Sequence, residues 1–67
     1  MTKFSRRLKE ARRISGLSQE KVAEEINISR SNISKYETGE LEPNIETIYK
    51  LIKIYKVSAN FLFDTEE

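Results

Sequence analysis

The side chains that could do chemistry in this 67-residue chain are charged or hydroxyl-bearing, because the sequence contains no histidine and no cysteine. Without imidazole or thiolate groups, the chain lacks disulfides, soft metal sites, the usual general base and the cysteine nucleophile. Its carboxylates are scattered rather than convergent. These observations exclude most enzyme chemistry and predict no cofactor and no metal, which leaves recognition by charge and hydrogen bonds.

Positive charge is concentrated in the first half of the chain. Residues 1–35 carry nine lysines and arginines against four glutamates, a net charge of +5, whereas residues 36–67 carry three lysines against seven acidic residues, a net charge of −4. Such asymmetry favours one surface that meets a polyanion, either nucleic acid or anionic lipid. The alternative is an ordinary solvated helix face, which charge alone would favour. Apolar runs are far too short to span a bilayer, so we expect a cytoplasmic protein.

Helix signals position these groups along a single domain, 1–67. A first helix, capped by Thr2 and ended by Gly16, is predicted by apolar residues at every third or fourth position: Phe4, Leu8, Ala11 and Ile14. Ser18 caps a second helix that runs to Ile26, and Ser29 caps a third that runs up to Gly39.

The second half of the chain predicts two more helical segments. Asn44 caps a fourth helix whose inner side carries Ile45, Ile48, Leu51, Ile52 and Tyr55. Ser58 opens a last short turn that contains Phe61, Leu62 and Phe63. Residues 40–43 form the one loop, and residues 65–67 are expected to fray. No strand pattern competes, so the fold class is all-α.

The second and third helices carry the spacing of a helix-turn-helix over residues 18–38. In the twenty-residue window that begins at Gln19, apolar residues occupy positions four, five, eight, ten, fifteen and eighteen: Val22, Ala23, Ile26, Ile28, Ile33 and Tyr36. Ala23 is small enough for the next helix to cross closely. Asn27 tolerates the left-handed conformation that the turn needs. The pattern predicts a tight bend that leaves the opposite face of the third helix exposed.

These motifs together resemble the lambda-repressor-like, XRE/Cro-type helix-turn-helix proteins of phages and bacteria. The resemblance covers nearly the whole chain, through the segments 6–8 (Arg-Arg-Leu), 18–23 (Ser-Gln-Glu-Lys-Val-Ala), 36–39 (Tyr-Glu-Thr-Gly), Pro43 and 57–62 (Val-Ser-Ala-Asn-Phe-Leu). It implies a compact fold of five helices around one core. It also implies sequence-specific binding of double-stranded DNA as a transcriptional regulator, which we expect to be a repressor.

The outward face of the third helix is the candidate base-reading surface. A helix fits the major groove with its N-terminal residues deepest, and similar proteins read bases from four positions that match here: Arg30, Ser31, Ser34 and Lys35. Arg30 can donate two hydrogen bonds to guanine, Lys35 can reach guanine or phosphate, and the serine hydroxyls permit close approach. The alternative is that the four residues are merely solvated.

Phosphate contacts are expected near the helix termini and on the first helix. Gln19 begins the second helix, where its amide and the unpaired N–H groups can bind a phosphate oxygen, although Gln is also an ordinary surface residue. The further candidates are Asn32, the N–H groups around Thr38 and Gly39, and the basic residues Lys3, Arg6 and Arg7, which can instead serve solubility.

The resemblance gives Arg12 and Glu37 a structural role. In this family an arginine at this position of the first helix pairs with a glutamate near the end of the recognition helix, and both residue types match. Such a pair would fix the angle of the third helix.

The loop after the third helix departs from the family pattern. That loop often supplies basic residues, but here it contains Glu40 and Glu42, which would repel phosphate. Either the loop stands clear of DNA or two subunits bind together. One copy contacts about one half-site, and related proteins pair through the region after the fourth helix, so we expect a homodimer. The candidate contacts are Ala59, Asn60, Phe61 and Phe63, with burial of Phe61, Leu62 and Phe63 against the core as the alternative.

A protein-interaction module, such as an antitoxin or adaptor, is the alternative function. A helix-turn-helix can grip another protein, and the acidic second half would supply the surface. Salt dependence separates the two functions, because binding to phosphates weakens steeply with salt and a mainly apolar contact does not.

Overall fold

The computed structural model of the chain describes residues 2–63 and contains five α-helices and no strand over that range: α1 (Lys3–Ser15), α2 (Gln19–Ile26), α3 (Arg30–Thr38), α4 (Ile45–Tyr55) and α5 (Ala59–Phe63). The predicted all-α class and its five-helix architecture are confirmed. The tail 65–67, for which we expected fraying, lies outside the described residues.

Each of the first four helices begins at its predicted cap. The side-chain oxygens of Thr2, Ser18, Ser29 and Asn44 accept the N–H three residues ahead, at 3.1, 3.0, 3.1 and 2.8 Å respectively. These bonds satisfy backbone donors that a helix leaves without intrahelical acceptors. Because each cap is a short polar residue that directly precedes an apolar-periodic segment, the start of each helix can be predicted from local sequence.

Left-handed residues end the first four helices. Gly16 and Gly39 take this conformation with φ of 74° and 88°, and Asn27 takes it with φ of 59°, as predicted for the turn. Lys56 was not anticipated in this role, yet it ends α4 with φ of 57°. A lysine in this region carries the steric cost of its Cβ, which glycine avoids.

The core lies where α1 packs against α3 and α5 and where α2 packs against α3 and α4. It is formed by Leu8, Ala11, Val22, Ala23, Ile26, Ile33, Tyr36, Leu51, Tyr55 and Leu62. Two residues assigned to inward stripes are wrongly predicted, since Ile14 is 71% exposed and Ile45 is 69% exposed. Each lies at or next to a helix end, where the periodic stripe continues but the neighbouring helices no longer cover it. Over residues 2–63, no helix combines the length and apolar character needed to cross a membrane.

Candidate nucleic-acid interface

The connection between α2 and α3 is a three-residue turn that sets the direction of α3. Asn27 ends α2 in the left-handed conformation, with φ of 59° and ψ of 49°. The N–H of Ile28 then donates to the carbonyl of Ala23 at 2.9 Å, and Ser29 caps α3. Ala23 itself is buried, so its small side chain allows α3 to pack closely against α2.

Burial divides α3 into an inner and an outer face. Ile33, Tyr36 and Glu37 are buried against the rest of the domain. The four predicted base-reading residues lie on the other side: Arg30, Ser31 and Lys35 are exposed, and Ser34 is half-buried. The outer face therefore offers one guanidinium, one ammonium and two hydroxyls on a helix whose inner face is fixed, which is an arrangement suited to a groove of DNA.

Glu37 is a buried carboxylate, only 3% exposed, that connects three helices. Arg12 of α1 donates from Nε to Glu37 Oε2 at 2.7 Å and from Nη2 to Oε1 at 3.2 Å. The third guanidinium nitrogen, Nη1, donates to the carbonyl of Leu17 at 2.9 Å. The hydrogen bond to Glu37 raises the pKa of Arg12, so the guanidinium stays charged at any ordinary pH. This geometry fixes α3 relative to α1.

Tyr55 of α4 lies beside this ion pair. Burial is the main cause that raises the pKa of its hydroxyl above the usual 10.0, and the negative charge of Glu37 adds to the shift while Arg12 opposes it. The phenol therefore stays neutral at pH values where an exposed tyrosine would ionise.

Gln19 has a contact that the sequence did not suggest. Its side-chain Nε2 donates to Glu37 Oε1 at 3.0 Å, which attaches the start of α2 to the same carboxylate. The side chain predicted to hold a phosphate is thus already oriented by the fold. The N–H groups of the first turn of α2 remain directed away from the helix, as at any helix N-terminus.

At the end of α3, N–H groups that the sequence analysis proposed for phosphate form hydrogen bonds within the chain. The N–H of Gly39 donates to the carbonyl of Lys35 at 3.0 Å, and the N–H of Glu40 reaches the same oxygen at 3.0 Å. The hydroxyl of Thr38 lies 3.2 Å from that carbonyl and 2.9 Å from Glu40 Oε1. These groups close the C-terminus of the helix, because a helix end presents carbonyls that need donors. Gly39 therefore caps α3, and phosphate binding there stays a prediction.

The remaining phosphate candidates differ in their surroundings. Asn32 is half-buried on the flank of α3, whereas Arg6 and Lys3 are exposed on α1. The guanidinium of Arg7 lies 4.7 Å from the centre of the Phe61 ring, and its Nη1 is 3.3 Å from Glu10 Oε1. Arg7 thus joins α1 to α5 through a cation–π contact.

None of the four candidate dimer residues is fully buried. Ala59 and Asn60 are exposed, Phe61 is half-buried beneath Arg7, and Leu62 is fully buried. Phe63 is 49% exposed and stacks on Phe4, with ring centres 5.0 Å apart. The sequence analysis missed a second exposed apolar region, on α4, where Tyr49 is 65% exposed beside Ile45.

The described residues contain no group of three acidic side chains arranged to hold a metal ion. What the geometry defines is a small helical domain with a helix-turn-helix, whose outer helix face is polar and basic. The helix-turn-helix family model matches residues 8–62, and the chain belongs to this family. The family comprises regulators rather than enzymes, in agreement with the chemistry that the sequence excluded.

Several relatives share this similarity. The chain is 40% identical over 64 residues to the HTH-type transcriptional regulator ImmR of Bacillus subtilis, covering 96% of the chain and 50% of that protein. It is 36% identical over 64 residues to the HTH-type transcriptional activator BcrR of Enterococcus faecalis, covering 96% of the chain and 31% of BcrR. It is 30% identical over 63 residues to an uncharacterized HTH-type transcriptional regulator of Archaeoglobus fulgidus, covering 90% of that protein. The chain spans about half the length of ImmR.

Proposed function

We propose that this chain binds double-stranded DNA with sequence specificity and regulates transcription. The observation that carries the proposal is the division of α3: a buried inner face fixed by Glu37, and an outer face with Arg30, Ser31 and Lys35 exposed. The relatives' names as transcriptional regulators support the same function.

The proposed contacts fall into two classes. Arg30 and Lys35, with Ser31 and Ser34 between them, read base edges in the major groove. The first turn of α2, with Gln19 held by Glu37, binds a phosphate and sets the register without reading sequence. Arg6 and Asn32 are further phosphate ligands in this proposal.

Selection of bound duplexes from a random pool tests base reading. The wild-type chain should enrich one motif, and Arg30→Ala should lose preference at one base pair, worth roughly 1–3 kcal/mol. Arg13→Ala is the matched control, because it removes an exposed arginine from α1 and should leave the motif unchanged. A pool without any enriched motif would remove sequence reading from the proposal.

The competing function is binding to another protein, favoured by the acidic loop and by the exposed apolar side chains on α4. Contacts with about four to six phosphates give a log–log salt slope of roughly −4 to −5 for DNA affinity. A protein partner held mainly by apolar contacts would leave affinity nearly independent of salt. The salt dependence of binding therefore decides between the two functions: a steep slope for duplex DNA supports DNA binding, and an affinity for a partner that barely changes with salt supports protein binding.

The finer parts of the proposal concern assembly and outcome. A homodimer on a two-fold site would place two copies of α3 about one helical turn apart. Repression needs only occupancy of a promoter, so we propose a repressor that acts in the cytoplasm. In transcription from a template whose site overlaps the promoter, added protein should lower transcript yield; a higher yield would match the activator role named for BcrR.

A further inference from the structure

The outer flank of α4 is an exposed apolar feature that the proposed DNA contacts leave unused. Ile45 and Tyr49 are both mostly exposed, and they lie one turn apart on the same side of the helix. Half-buried Ile52 continues this line toward the C-terminus. Ile48 lies beside them and lines a groove of about 280 Å³ with Leu41 and Phe63. We call the line Ile45–Tyr49–Ile52 the α4 stripe.

Charges along α4 change sign from one end to the other. Glu46 lies in the first turn, and Glu42 precedes the helix, whereas Lys53 and Lys56 lie in the last turn and at the cap. Glu46 and Lys53 are seven residues apart, so they lie on the same side of the stripe two turns from each other. Both are exposed, and neither forms an ion pair with another residue of the range 2–63.

This charge order is self-complementary in one orientation only. If two copies of α4 pack antiparallel about a two-fold axis at Tyr49, Glu46 of each copy meets Lys53 of the other, and Ile45 meets Ile52. If the two helices run parallel about a two-fold axis, the partner's Glu46 and Lys53 lie on the opposite flank of the contact, so no Glu46–Lys53 pair forms. The apolar stripe and the charges therefore favour the same antiparallel register.

We infer that the α4 stripe is the contact between two copies of this chain, paired antiparallel with Tyr49 on the two-fold axis. The inference deepens the homodimer of the proposed function and moves its centre from α5 to α4. Two-fold pairing inverts one α3 relative to the other, which is the relation that a palindromic site requires.

Sedimentation equilibrium without DNA tests the apolar part. The wild type should dimerise, and Ile45→Ser and Tyr49→Ser should each raise the dimer dissociation constant at least about tenfold. Ile14→Ser is the matched control, because Ile14 is as exposed as Ile45 but lies on α1. Equal constants for the Ile45 and Ile14 variants would overturn the inference, as would a wild type that stays monomeric at about 1 mM.

Charge exchange tests the register. Glu46→Lys and Lys53→Glu should each weaken self-association roughly tenfold, because two attractive pairs per dimer become repulsive. The double variant Glu46→Lys/Lys53→Glu should regain wild-type affinity, since each new lysine then faces a new glutamate. Lys50→Glu makes the same charge change on α4 about 100° around the helix from Tyr49, whereas Glu46 and Lys53 lie one turn from Tyr49, so it should have little effect. Single variants that associate as tightly as the wild type, or a double variant that stays weak, would overturn the register.

The failure of this inference is distinguishable from failure of the proposed function. Binding to a duplex with a single half-site needs only one copy, so Ile45→Ser should retain it. If the stripe variants dimerise as the wild type does and also bind the half-site duplex, the inference fails and DNA binding stands. If the stripe variants are monomeric and the wild type binds no duplex, the dimer stands and the proposed function fails.

Discussion

Removing Arg12 should destabilise the domain far more than removing any exposed charge, because Glu37 would remain buried without its cation. In Arg12→Met, Glu37 keeps only the hydrogen bond from Gln19 Nε2. The variant loses the contacts from Nε and Nη2 to Glu37 and from Nη1 to the Leu17 carbonyl. Methionine retains much of the arginine stem's packing, so the change isolates the charge and its hydrogen bonds.

The expected cost is about 3–5 kcal/mol, the usual penalty for breaking a buried ion pair from one side. A domain of this length has a total unfolding free energy of roughly 3–10 kcal/mol, so this variant should lose most of its stability. The double variant Arg12→Met/Glu37→Leu leaves no charge buried. It should therefore recover at least about 2 kcal/mol relative to Arg12→Met alone.

Urea unfolding followed by circular dichroism measures these differences. Lys21→Met is the control, because Lys21 forms exposed pairs with Glu25 at 3.2 Å and Glu24 at 3.8 Å. Exposed pairs of this kind contribute less than about 1 kcal/mol. If Arg12→Met were as stable as Lys21→Met, and the double variant were no better, Glu37 would not depend on Arg12 and the account of how α3 is held would be wrong.

Three further outcomes follow from the structure. Lys56→Gly should raise the unfolding free energy by about 0.5–1 kcal/mol, because φ is 57° there, whereas Lys50→Gly inside α4 should lower it by about 1 kcal/mol; equal effects in urea would contradict this reason. Tyr55→Phe should reduce the loss of stability at alkaline pH. In the wild type, the pKa of the Tyr55 phenol is higher in the folded state than in the unfolded state, so the unfolding free energy is unaffected below pH 10.0 and falls above it, by up to about 1.4 kcal/mol per pH unit. Urea midpoints measured across that pH range would detect the difference between the two proteins. Glu42→Lys should raise DNA affinity and steepen its salt slope by about one; unchanged binding would mean that the loop stands clear of the phosphates.

Local signals were sufficient to predict the helices but not their coverage by neighbours. Ser18, Ser29 and Asn44 are short polar residues before apolar-periodic segments, so the starts of α2, α3 and α4 could be predicted from sequence. Ile45 could not be placed correctly, because its spacing matches the inward stripe while its position at the first turn leaves it uncovered. Lys56 gave no signal, since nothing about a lysine indicates a left-handed residue.

The candidate site was predictable in residue type and less so in detail. Asn27 and Ala23 follow from the steric needs of the turn, and the outward face of α3 follows from the buried positions of Ile33 and Tyr36. The bond from Gln19 to Glu37 could not be predicted, because it depends on how the start of α2 approaches the end of α3 in three dimensions. The capping bond of the Gly39 N–H could not be predicted either, because sequence alone does not tell a spare N–H from one that caps its own helix.

Glu37 also bears on how this scaffold can be re-engineered. Glu37 lies on the inner face of α3 and binds Arg12 of α1 and Gln19 of α2, so these contacts set the orientation of the helix. The outward side chains can therefore be exchanged as a set without changing the contacts that hold α3. Grafting another quartet at Arg30, Ser31, Ser34 and Lys35 should therefore yield soluble, folded proteins with altered targets, while changes at Arg12 or Gln19 would misalign every graft at once.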